Sequence, residues 1–108
     1  MGQNRKIVPL EYPDRLTETH IDDLPMIVNP VQSADLSRVL EVVPEHRRPD
    51  VVLAYLNITE EQWAIAAGMN YINVWRWLHD QTRFPFGSAL RLAKVVGVPA
   101  DLVFRRWI

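Results

Sequence analysis

Residues 59–78 read TEEQWAIAAGMNYINVWRWL, and the order of polar, small and apolar residues in this stretch decides the fold. Thr59 stands before an apolar-periodic run. Gln62, three residues on, completes a capping-box pattern in which each side chain satisfies the other residue's orphan backbone N–H. The run through Trp63 and Ala64 ends at Gly68, where the chain must turn left-handed or pack tightly, and glycine does either at little cost. Asn70 then caps a second short helix over about residues 71–80, with Val74 and Trp77 on its inner face. The stretch predicts two short helices joined by a three- or four-residue turn that pivots on Gly68.

Outward from it, the same signals recur. On the C-terminal side, a loop containing Phe84-Pro85-Phe86-Gly87 precedes a helix capped by Ser88 and carrying Leu90, Leu92, Ala93 and Val96. Gly97 ends that helix and Pro99 starts a last one with Leu102, Val103 and Phe104 on its apolar face. On the N-terminal side, a helix begins at Pro49 and runs through Val52, Leu53 and Leu56 to about Asn57. Ahead of it, Ser33 is a candidate cap for a helix with Leu36, Val39, Leu40 and Val43 in one stripe, stopped by Pro44. Five or six short helices result, without internal repeats.

Residues 1–32 read differently. Pro9, Pro13, Pro25 and Pro30 preclude a long helix, and short extended pieces are expected around residues 6–12 and 25–28. This segment is expected to act as an arm: a small β-ribbon, a wrapping strap, or a tail disordered until bound. It would contribute little to the core of residues 33–108.

The composition narrows the function. A chain of 108 residues with 48% apolar content fits one domain with an appended arm. No apolar run approaches the ~18 residues of a membrane span, and no secretory signal opens the chain. The absence of cysteine excludes disulfides and fits a reducing, cytoplasmic setting. His20, His46 and His79 lack ligand spacing, so no metal or other cofactor is expected. A net charge of −1 argues against indiscriminate nucleic-acid binding. The charge is uneven, however: residues 1–53 hold six basic and nine acidic groups, and residues 54–108 hold six basic and four acidic. The C-terminal half is the one suited to face phosphate. With no Gly-rich phosphate loop and no nucleophile–histidine constellation, an enzyme is not expected.

Two helices joined by a Gly turn form the helix-turn-helix unit, whose second helix enters a DNA groove. From about residue 51 to 104 the chain resembles the Cro and phage-repressor type of helix-turn-helix domain, the XRE family. The family's T-x-x-x-L-A-x-x-x-G appears as T-E-E-Q-W-A-I-A-A-G, with Trp63 where Leu is usual. Val74 stands at the family's buried β-branched position and Trp77 at the apolar position three further on. Pro85 and the tail ALRLAKVVGVPADLVF, residues 89–104, match the family's fourth helix, Gly-Val-Ser/Pro turn and Asp-Leu-Phe fifth helix. Three positions depart from it. Glu60 replaces the usual Gln that holds a DNA phosphate and braces the recognition helix, and would repel phosphate. Asp80 replaces a Gly, and the basic residues of the following loop shrink to Arg83.

The resemblance implies an all-α, five-helix, lambda-repressor-like domain over residues 33–108, behind a Pro-rich, partly extended arm. It implies a cytoplasmic phage or bacterial regulator that binds a near-palindromic double-stranded DNA operator as a homodimer and represses by occluding a promoter. By the resemblance, Tyr71, Ile72, Trp75 and Arg76 reach base edges. Arg76 forks to guanine and Ile72 meets a thymine methyl. Asn70, Asn73, His79 and Arg83 complete the DNA-facing set. Arg91, Lys94, Arg47 and Arg48 are either phosphate contacts or solvated charges. Phe104, Trp107 and Ile108 form an apolar terminus that folds back on the core or makes a homodimer seam. Two rivals remain. One is an antitoxin-type regulator whose arm wraps a protein partner. The other is an interaction module in which Tyr71, Ile72 and Trp75 pack on protein and DNA binding is lost.

Overall fold

The computed structural model describes residues 20–79 and 84–108. Among these residues the chain is all-α, with no strand. The described residues form six α-helices in succession: α1 (Pro30–Glu41), α2 (Arg48–Leu56), α3 (Glu60–Ala66), α4 (Tyr71–His79), α5 (Phe86–Val96) and α6 (Ala100–Val103). Single 3-10 turns at Ile21–Asp23 and Glu45–Arg47 precede α1 and α2. None of the described helices is long and apolar enough to cross a membrane.

Two helices start earlier than their Ser caps predict. α1 is capped by Asn29, whose Oδ1 accepts the Gln32 N–H (2.9 Å) while Gln32 Oε1 accepts the Asn29 N–H (3.0 Å), with Pro30 at the first helical position. The Ser33 hydroxyl, one turn inside, is used elsewhere and donates to the Gly97 carbonyl. Likewise Pro85 occupies the cap position of α5 in an extended conformation, so Ser88 lies inside the first turn. The stops fall where expected: Gly97 closes α5 with φ 69°, and Asn57 closes α2 in the left-handed region with φ 55°.

The core is built on α3 and α5. Leu36 and Leu40 of α1, Val52 of α2, Trp63 and Ala64 of α3, Val74 of α4 and Leu92, Val95 and Val96 of α5 are fully buried. Trp63 stacks on Phe104 (centroids 5.6 Å, 23° between planes), and its indole N–H donates to the Leu92 carbonyl (2.9 Å). Phe104 in turn meets Phe84 (4.8 Å), and Phe84 meets Trp77 (5.0 Å). Such tilted and stacked ring pairs add roughly 0.5–1.5 kcal/mol each to what their area burial contributes.

Three expectations change. Phe104 is fully buried in the aromatic core and cannot lie on a homodimer seam. Trp107 packs edge-on against it at 6.4 Å, its carbonyl accepts the Phe84 N–H (3.0 Å), and the Ile108 N–H donates to the Phe104 carbonyl (3.1 Å). The terminus therefore folds back on the body. Residues 25–28 form no strand; a single main-chain bond from Ile27 N–H to the Val95 carbonyl (2.8 Å) straps them to α5. Leu24 is buried in the core, so the body includes residues grouped by sequence with the arm. The extended piece expected at residues 6–12 lies outside the described residues.

Arg48 also changes its role. Its side chain is buried, with Nε donating to the Val43 carbonyl (2.9 Å) and Nη1 to the Leu102 carbonyl (3.0 Å). It ties the exit of α1 to α6 instead of facing solvent. Arg47 beside it is exposed.

Candidate nucleic-acid interface

The α3–α4 pair is fixed at both ends and at the bend. At its start, Thr59 Oγ1 accepts the Gln62 N–H (3.0 Å) and Gln62 Oε1 accepts the Thr59 N–H (2.9 Å), the reciprocal cap that the spacing predicts. At the bend, Gly68 adopts φ 69° and the Met69 N–H donates to the Ala64 carbonyl (2.9 Å), which turns Met69 into the core. Arg91 of α5 donates through Nε to the Ala67 carbonyl at the end of α3 (3.0 Å), and burial holds its pKa below the ordinary arginine value. It is an anchor for the turn and not a solvated charge. Asn70 then opens α4, its Oδ1 accepting the N–H groups of Ile72 (2.9 Å) and Asn73 (3.3 Å).

These constraints fix which face of α4 points outward. Val74 is fully buried and Tyr71, Trp77 and Leu78 are half-buried against the core. Ile72 (62% exposed), Trp75 (43%), Arg76 and His79 face solvent. Of the residues expected to face DNA, Ile72, Trp75, Arg76 and His79 are outward, whereas Tyr71 is half-buried and packs against the core. Asn73 is half-buried. Arg83, with Asp80, lies outside the described residues. Tyr71, Ile72 and Trp75 together line an open, mostly apolar hollow of about 190 Å³.

Glu60 departs from its expected behaviour. Its side chain is only 14% exposed, and Oε2 lies 2.8 Å from His79 Nε2 at the far end of α4. The carboxylate is turned toward the protein, so the repulsion of phosphate expected from it is blunted. His79 in turn stacks on Trp75, with ring centroids 4.6 Å apart and 26° between planes. This Glu60–His79–Trp75 series joins the first residue of α3 to the outward face of α4, and spacing alone does not reveal it. The Asn29–Gln32 cap was legible as N-P-x-Q but is eclipsed by the nearby Ser33.

The arrangement can present a short, rigid helix carrying one forked cation, one imidazole and an apolar hollow. No family model, no curated protein and no solved structure matches the chain.

Proposed function

We propose that this chain is a sequence-specific double-stranded-DNA-binding regulator of the helix-turn-helix type, which inserts α4 into the major groove. The observation that carries the reading is the outward face of α4: Ile72, Trp75, Arg76 and His79 project from a helix whose turn, cap and inner face are all tied down. A reading helix gains from such rigidity, because little side-chain and backbone freedom is left to lose on binding. The all-α architecture of the described residues is compatible with the helical domain over residues 33–108 that the resemblance to Cro and phage repressors implies. Arg76 forks to a guanine edge, and Asn70, Asn73 and Tyr71 contact phosphate or the neighbouring base. In the full proposal the protein acts in the cytoplasm as a homodimer on a near-palindromic operator and represses by occlusion.

The test is selection of bound sequences from a random duplex pool, followed by affinity measured against salt. A phosphate-driven binder retains roughly 10⁻⁴–10⁻⁶ M affinity for arbitrary duplex, falling steeply with salt, and binds its selected site far more tightly. Absence of any salt-sensitive duplex binding refutes the reading. The exposed apolar pair Ile72 and Trp75 favours the second reading, an interaction module that keeps the helix-turn-helix fold and takes a protein partner on this face in place of DNA.

A further inference from the structure

We infer that the outer face of α1 is a homodimer seam, at which two copies of this chain pair antiparallel about a twofold axis that runs between Asp35 and Arg38. The inference deepens the homodimer of the proposed function, on which it rests for the number of copies, by naming the surface that joins them. A C-terminal seam is not available, because Phe104 is buried and Trp107 and Ile108 pack back on the body. Helix α1 lies ahead of residues 51–104, so the resemblance to phage repressors says nothing of this face.

Among the described residues, the two most exposed large apolar side chains are Val42 (84%) and Val31 (70%), one at each end of α1. Eleven positions separate them, about three helical turns, so they share one line along the helix. That line lies opposite the buried Leu36 and Leu40. Between the valines stand Asp35 and Arg38, an exposed ion pair. The order along the line is apolar, acid, base, apolar, and it is its own complement. A second α1 laid antiparallel sets Val31 against Val42 of the second copy at both ends. The same register sets Asp35 against Arg38 of the second copy twice in the middle. Twofold interfaces demand this reciprocity, in which i meets j and j meets i. Four valines then leave water, and each guanidinium gains a second carboxylate.

Charge and symmetry disfavour other occupants. Asp35 and Glu41 outnumber Arg38 on α1, so the face repels phosphate. An unrelated protein would not call for a face that reads the same when reversed. One pair of helices covers less than the roughly 800 Å² per partner of a standard interface, so the dimer dissociates on dilution.

Sedimentation velocity of the full chain without DNA, over a wide concentration range, should show a reversible monomer–dimer equilibrium. Val31→Lys and Val42→Lys should each weaken it by roughly tenfold or more at unchanged helical content, since each removes apolar contact at both ends of the seam. Asp35→Arg and Arg38→Asp should each abolish self-association, because like charges then face one another, and the two variants mixed together should pair. A mixture of Val31→Cys and Val42→Cys should oxidise to a crosslinked dimer, while neither does so alone, because like positions lie about 16 Å apart in an antiparallel pair and beyond disulfide reach. A monomer at every concentration, or a dimer that the valine and charge variants leave intact, overturns the seam. Assembly is read without DNA, so the two failures are distinct. A chain that dimerises through α1 yet binds no duplex keeps the seam and refutes the DNA-binding reading, and a monomer that binds its selected duplex does the opposite.

Discussion

Gly97→Ala tests the joint between α5 and α1. Gly97 adopts φ 69°, and a methyl added there would run into the Ser33 side chain and come within 2.8 Å of Met26 Cε. Left-handed backbone costs a residue with a Cβ roughly 1–2 kcal/mol. Displacing the Ser33 hydroxyl from the Gly97 carbonyl removes a hydrogen bond worth about 1 kcal/mol. Overpacking of this kind typically adds about 1–3 kcal/mol. The contributions overlap, and a total of about 3 kcal/mol corresponds to a Tm lowered by roughly 12–24 °C for a domain of this size. Ser33→Ala removes the hydroxyl that meets the new methyl, so Gly97→Ala should cost less in that background, with a coupling on the order of 1 kcal/mol. Relief is partial, because Ser33 Cβ still lies 3.0 Å from the added methyl. Thermal and urea unfolding followed by far-UV circular dichroism measure all four corners of the cycle. A Tm within a few degrees of wild type, or strictly additive losses, would refute the packing of α1 against the end of α5.

Arg76→Ala should weaken binding to the selected operator by about 1–3 kcal/mol and relax preference at one base pair; an equal loss on arbitrary duplex would make it a phosphate contact. Arg48→Met should destabilise the fold by about 1–3 kcal/mol, since it strips two carbonyls of a charged donor, and leave DNA affinity of the folded protein unchanged. Arg47→Ala should do the reverse, with an unchanged Tm and a shallower salt dependence of DNA binding. Exchanged phenotypes would show that the buried and exposed members of this pair are misassigned.

The parts legible in the sequence are those set by local chemistry. The left-handed turns at Gly68 and Gly97, the Thr59–Gln62 and Asn70 caps and the inward register of Val74 each depend on a few neighbouring residues, and each is found in the structure. The outward set on α4 follows from that register, which is why Ile72, Trp75, Arg76 and His79 were recognisable as exposed. Long polar side chains were not legible, because their partners are remote. Arg48 reaches a carbonyl 54 positions away and Glu60 an imidazole 19 positions away. A charged residue with a long stem can lie on the surface or pin two helices together, and the choice depends on which carbonyl the tertiary fold leaves within reach. Phe104 misled for a related reason: near a chain end an apolar residue reads as an uncovered tag, although here Trp63, Phe84 and Trp107 enclose it.

The file of rings from Trp63 through Phe104 and Phe84 to Trp77 also makes the molecule its own reporter. Aromatic chromophores fixed at 4.8 to 5.6 Å in an asymmetric setting should give strong near-ultraviolet ellipticity. That signal decays when packing loosens even while backbone helices persist. Of the four tryptophans, Trp75 alone is exposed, so a collisional quencher added to the solvent reaches it first. The inner and outer faces of α4 can thus be followed separately in one unlabelled sample, ellipticity for the face held by the core and quenching for the face turned outward.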